Sequence, residues 1–89
     1  MKSVTTADFR KGFRALPADV RQQAKSAYRL WAADPKHPSL HFRRVHAVES
    51  VFSVRIGIHY RAVALVEGGV ANWFWIGTHS DYDKLIRSL

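Results

Sequence analysis

Directly after the apolar run Trp73-Phe74-Trp75-Ile76 and Gly77 come His79, Asp81, Tyr82 and Asp83, the densest set of reactive side chains in the sequence. Histidine titrates near neutrality, so it can take or give a proton during a reaction. Upstream, Arg55 stands in the alternating run Val51-Phe52-Ser53-Val54-Arg55-Ile56. Arginine keeps its charge and offers a planar fork of donors that fits phosphate oxygens. A proton-transfer group and fixed cations suit displacement at a phosphate ester, where negative charge develops on the phosphoryl oxygens. That chemistry asks for no metal ion and no cofactor. Taken singly, each residue also has a plainer role. His79 suits a helix start satisfied by backbone groups, and Asp81 and Asp83 suit the positive end of a helix. Tyr82 suits a helix core with its hydroxyl at the surface, and Arg55 suits an ion pair with Glu49. The five histidines show no i, i+4 pair on one helix and no compact ligand spacing, and cysteine is absent, so a metal site is excluded.

Charge narrows the class of partner. Fourteen Lys and Arg oppose seven acids, a net charge of +7 on 89 residues. Eleven of the fourteen precede Arg61. Such a surplus points to a polyanion, either nucleic acid or an acidic protein segment. An apolar content of 47% and an aromatic content of 12% indicate a folded globule of one domain. No run approaches the ~20 apolar residues of a membrane span and no signal peptide is visible, so the expected location is the cytoplasm.

The elements that must position these residues follow from periodicity. Lys2 to Val4 reads as a short edge strand. Thr5 with Asp8 makes a weak capping box, and Phe9, Phe13 and Leu16 give a first helix over about 6–15. Pro17 and Asp19 suit the first turn of a second helix. Its stripe is Val20, Ala24, Ala27, Tyr28 and Trp31, and Asp34-Pro35 stops it. The short break makes the two helices a hairpin. Four runs then read as strands, at 40–46, 51–57, 59–66 and 70–77, with a Gly68-Gly69 hairpin turn between the last two. Strict alternation puts Trp73 and Trp75 on one face. Ser80 suits the cap of a final short helix with Tyr82, Leu85, Ile86 and Leu89 inward. The expected fold is therefore α+β, with an N-terminal helical hairpin packed on an antiparallel sheet of about four strands and a short C-terminal helix. The sheet face turned away from Phe52, Val54 and Ile56 carries Arg55, together with some of Arg43, Arg44, His46 and His59.

The strand pair Val54-Arg55-Ile56-Gly57 and Tyr60-Arg61-Ala62, with the junction Ile76-Gly77-Thr78-His79-Ser80-Asp81-Tyr82, resembles the RelE/ParE superfamily of type II toxin–antitoxin toxins. The junction is similar to that of the YafQ-like members. The resemblance covers nearly the whole chain and implies a single toxin domain over 1–89. It also implies a ribosome-associated endoribonuclease that cleaves messenger RNA, silenced by a cognate antitoxin with an acidic segment. Arg55 would then contact the scissile phosphate and His79 would act as general acid or base. Tyr82 lies near the superfamily's C-terminal aromatic, and Arg61, Arg43, Arg44, His46 and His59 would line the RNA path. Two departures stand out. The paired lysines of RelE are missing, and His59 occupies a position where some relatives have an acid. Superfamily members that poison DNA gyrase share the fold without the nuclease residues, so a ParE-like gyrase inhibitor is the alternative. A basic nucleic-acid-binding module without catalysis is the third reading.

Overall fold

Lys2–Thr5 forms strand β1, and the chain turns at once into helix α1, Ala7–Arg14. The computed structural model describes all residues, 1–89. The cap of α1 is Thr6, whose Oγ1 accepts from the Phe9 N–H at 3.1 Å. Thr5, where the sequence placed the cap, stays in β1 opposite Trp73. Its carbonyl and hydroxyl oxygens accept from the Arg10 guanidinium at 2.7 and 3.0 Å. Helix α2, Ala18–Ala33, starts one residue after Pro17, which is extended (φ −56°, ψ 153°) and stands just outside the first turn. At Asp34 the backbone leaves the helical region (ψ 86°), as a residue before proline should. Val20, Ala24 and Trp31 are buried, but Tyr28 is 49% exposed and lies stacked along Trp31 at the edge of the stripe.

The sheet has five strands in the order β1-β5-β4-β3-β2. Strand β2 is only Arg43–Arg44, followed by β3, Val51–Ile56, β4, Tyr60–Glu67, and β5, Val70–Thr78. All pairs are antiparallel except β1 with β5, so the sheet is mixed. The first predicted run shrinks from seven residues to two for local reasons. Pro38–Leu40 is a 3-10 turn capped by His37, and His41 takes a left-handed conformation (φ 46°) that interrupts any strand. At the other end, His46 Nδ1 accepts the N–H groups of Val48 and Glu49 at 3.2 and 2.8 Å and bends the chain away. Gly68 and Gly69 close the β4–β5 hairpin at φ 57° and 75°, a pairing that side chains resist.

Helices α1 and α2 cover one sheet face. Trp31, 2% exposed, meets Trp73 edge-on at 5.2 Å between ring centroids, and Val54, Ile56, Ala62 and Ile76 surround the pair. Truncating a buried aromatic of this kind costs about 3–5 kcal/mol. A bulge decides what the opposite face carries. Trp73 pairs with Ala64 while Trp75 pairs with Val63, so Phe74 is an extra residue in β5. The two tryptophans therefore face opposite ways, contrary to strict alternation. Trp73 packs into the helical core and Trp75 packs on Tyr82, at 6.3 Å. Tyr82 belongs to helix α3, His79–Ser88, on that second face. The cap of α3 is Thr78, whose Oγ1 accepts from the Asp81 N–H at 3.1 Å, and Ser80 already lies inside the helix. Pairing of Tyr60 with Thr78 holds the strand up to this residue, and this places the cap there. Tyr82, Leu85 and Ile86 are half-buried, while Leu89 is exposed.

Candidate functional site

Strand register settles which cations share the α3 face. Arg55 sits opposite Arg61, which sits opposite Gly77, and Arg43 sits opposite Ser53. Side chains at paired positions point to the same side of a sheet. Arg43, Arg55 and Arg61 thus share one face with Ser53, Val63 and Trp75. Arg44 pairs with Phe52 and points the other way, and its guanidinium donates to the carbonyl oxygens of Val48 (2.8 Å) and Glu49 (3.3 Å). It braces the β2–β3 loop and stands outside the cluster.

No carboxylate forms an ion pair with any of the three arginines. The one side-chain ion pair within 4.0 Å in the molecule is His79 with Asp83. Arg55 donates through Nε to the carbonyl of Gly57 at 3.0 Å, and Arg61 donates to the carbonyl of Tyr60 at 2.8 Å. Glu49, a possible partner of Arg55 by sequence, offers only its backbone oxygen, and to Arg44. Burial, and then repulsion from Arg55, hold Arg61 below the usual arginine value; Arg43 adds to this, while Tyr82 and Asp83 pull the other way. Cations gathered and partly desolvated in this way form a site that an anion would relieve.

Tyr82 ties the helix to this face. Its hydroxyl donates to Ser53 Oγ at 3.1 Å, so it is engaged inside the molecule and not left at the surface. Ser53 is the one buried polar side chain of the fold, at 4% exposure. The Trp75 indole folds back over Gly77, where a Cβ would lie only 2.8 Å from the ring. A glycine at 77 is what leaves room for the indole there.

His79 opens α3 on the rim of a shallow cleft lined by Ile58, His59, Tyr60, Thr78, Ser80 and Asp83. Its N–H donates to the His59 carbonyl at 2.7 Å, which latches the β3–β4 turn to the start of the helix. The imidazole lies 6.0 Å from the Tyr82 ring, and its Nδ1 lies 3.3 Å from Asp83 Oδ2. His79, Tyr82, Arg55, Arg61, Arg43 and His59 therefore fall on one continuous surface. His46 does not. Its Nδ1 accepts two backbone N–H groups, so its Nε2 carries the proton and donates to the Leu89 carbonyl at 3.2 Å. Ser53, Trp75 and Gly77 complete the site beyond the residues read from sequence, and Asp83, read there as a helix-end charge, joins it through His79. Alternation with Arg55 places Ser53, but the bulge hides Trp75. Nowhere do three His, Asp or Glu side chains gather tightly enough to hold a metal ion, and no helix is long and apolar enough to cross a membrane.

Comparison with known proteins agrees on one fold. A family model described as ParE-like toxin domain matches residues 18–84. No curated protein matches the chain. Among solved structures, a chain of the RelB–RelE antitoxin–toxin complex from Methanococcus jannaschii superposes with a TM-score of 0.72 at 17% identity, covering 91% of this chain and 96% of that one. YafQ from Escherichia coli gives a TM-score of 0.71 at 10% identity, with 91% and 96% covered. The isolated Escherichia coli RelE toxin gives 0.67 at 17% identity, with 99% and 98% covered. At such identities the likeness is one of fold.

Proposed function

Because the chain belongs to the ParE-like toxin domain family, we propose that it is the toxin of a toxin–antitoxin pair and acts as a ribosome-associated endoribonuclease on messenger RNA. One observation carries this reading: Arg43, Arg55 and Arg61 share a face without a carboxylate in ion-pair reach, beside the cleft that His79 opens. In RNA cleavage the 2′-oxygen gives its proton to a base and bonds to phosphorus. The bond from phosphorus to the 5′-oxygen then breaks, and that oxygen takes a proton from an acid. Arg55 and Arg61 hold the phosphoryl oxygens as charge develops on them. His79 performs one of the two proton transfers through Nε2, and His59, on the same cleft, is the imidazole available for the other. Tyr82 walls the site and keeps α3 in place.

The silencing partner in this reading is an antitoxin with an acidic segment. The Methanococcus jannaschii neighbour comes from an antitoxin–toxin complex, and this chain offers two surfaces for an acidic partner. One is the arginine face. The other is an apolar groove of about 570 Å³ between α1, α2 and the sheet, lined by Phe9, Trp31 and Trp73, with Arg10, Arg14, Lys25 and Arg29 also on its walls. The Trp31 indole N–H is buried beneath this groove without an acceptor in the molecule.

The test is induction of the intact protein in cells, followed by mapping of transcript ends and plasmid supercoiling. Cuts within translated reading frames, with unchanged supercoiling, are expected. His79→Ala should lower cleavage ~10²–10⁴-fold, as removal of a general acid or base does. Arg55→Ala should be of similar severity. The ParE-like description of the matching family model supports a second reading, inhibition of DNA gyrase by protein binding. DNA breaks with intact messages would establish that reading in place of the first.

A further inference from the structure

Of the seven acids in this basic chain, only Asp83 forms a side-chain ion pair, and its partner is His79. The two stand at i and i+4 on α3, where successive helical turns bring side chains together. We infer that Asp83 is a positioning residue that fixes His79 in the tautomer with the proton on Nδ1, leaving Nε2 as the bare acceptor facing the cleft. A carboxylate can only accept, so an imidazole nitrogen that bonds to it must carry the proton. The observed atom is Nδ1, at 3.3 Å from Oδ2, within ion-pair reach but out of hydrogen-bond alignment, which a small rotation of either half-exposed side chain supplies in the free protein. Free histidine favours the opposite tautomer, with the proton on Nε2, and in that form the outward nitrogen could not take a proton. The other neighbours do not compete for Nδ1. The His79 N–H is taken by the His59 carbonyl, the Asp81 N–H by the Thr78 hydroxyl, and the Tyr82 hydroxyl is committed to Ser53.

Asp83 has a plainer role as a charge near the helix N-terminus that also offsets the arginine face, since it acts on Arg61. The two roles diverge in the imidazole itself. Helix-end electrostatics and partial neutralisation do not select a tautomer, whereas a hydrogen bond does.

The consequence for cleavage rests on the nuclease reading, but the tautomer does not, so the two can fail separately. The experiment is long-range nitrogen–proton correlation spectroscopy on the 15N-labelled full chain at about pH 8.5, where imidazoles are neutral. Parent, Asp83→Ala and Asp83→Glu are compared alongside melting curves and RNA cleavage. The expected result is a predominantly Nδ1–H His79 in the parent and a switch to Nε2–H in Asp83→Ala. The longer acid of Asp83→Glu should restore the parental form. Cleavage should fall ~10-fold or more in Asp83→Ala, part of the general acid–base contribution, and recover in Asp83→Glu with melting unchanged. An Nε2–H His79 in the parent, or the same tautomer in parent and Asp83→Ala, overturns the inference. So does a switch in tautomer with cleavage at the parental rate. A parent that shows the Nδ1–H form and the switch yet cuts no RNA leaves Asp83 as the positioning residue and removes the nuclease reading instead.

Discussion

Arg61 carries the tension of the site. Its guanidinium is desolvated and repelled by Arg55 and Arg43, and both effects lower its pKa. For a base, a folded-state pKa below the unfolded value means that the charged form is less favourable in the native state. At every working pH the residue is charged, so this unfavourable contribution is always present and pH does not relieve it. Replacing Arg61 with glutamine keeps a polar side chain able to donate to the Tyr60 carbonyl while removing the charge. The expected outcome is a variant that melts at or above the parental temperature and has lost affinity for anions. Added sulfate should raise the melting temperature of the parent and leave that of Arg61→Gln almost unmoved. A variant that melts lower and still responds to sulfate would show that the cluster is not under electrostatic strain. Natural sites that hold unpaired charge give up stability in this way to be ready for a ligand.

Among the elements, α3 depends most on single contacts. It packs on β4 and β5 through half-buried Tyr82, Leu85 and Ile86, and Tyr82 adds the hydrogen bond to Ser53 of β3. Tyr82→Phe keeps the ring against Trp75 and His79 but leaves the Ser53 hydroxyl with one partner fewer. The expected cost is about 1 kcal/mol, or ~4–8 °C in melting temperature for a domain of this size. Amides of α3 should exchange faster, and activity should fall less than in His79→Ala. Unaltered exchange in α3 would mean that the hydroxyl does not clamp the helix. This region also separates what sequence can and cannot disclose. Strands β3, β4 and β5, the Gly-Gly turn and the face that carries Arg55 follow from alternation and turn chemistry, which are local, whereas the pairing of Arg61 with Arg55 depends on cross-strand register. The opposed faces of Trp73 and Trp75 do not, because an extra residue inside an all-apolar run leaves no mark on a period of two. The caps moved for a similar reason. Thr5 or Thr6, and Thr78 or Ser80, are equivalent hydroxyls, and cross-strand pairing decides which one lies just outside the helix. The short β2 was hidden in side-chain bonds from His37 and His46 to nearby backbone, which compete with strand formation.

At the scale of the whole molecule, seven of the fourteen bases lie on two surfaces that face opposite ways. The α3 face carries Arg43, Arg55 and Arg61. The groove on the helical side is apolar at its floor, with Arg10, Arg14, Lys25 and Arg29 on its walls. A partner that silences the protein through both must wrap around the edge of the sheet and carry acids to both sides. Each surface then contributes differently to association. Exposed cations attract an acidic segment over distances of a Debye length, about 10 Å at 0.1 M salt and about 3 Å at 1 M, and so govern the encounter rate. Apolar burial in the groove is unaffected by screening and sets how long the complex lasts. Between about 0.05 and 0.5 M salt, the association rate constant with an acidic antitoxin segment should fall ~10-fold or more while dissociation changes little. Substituting both Lys25 and Arg29 by glutamine should flatten part of that salt dependence. Rapid-mixing kinetics across the salt series would measure both constants, and an association rate indifferent to salt would remove electrostatic capture from the account of this surface.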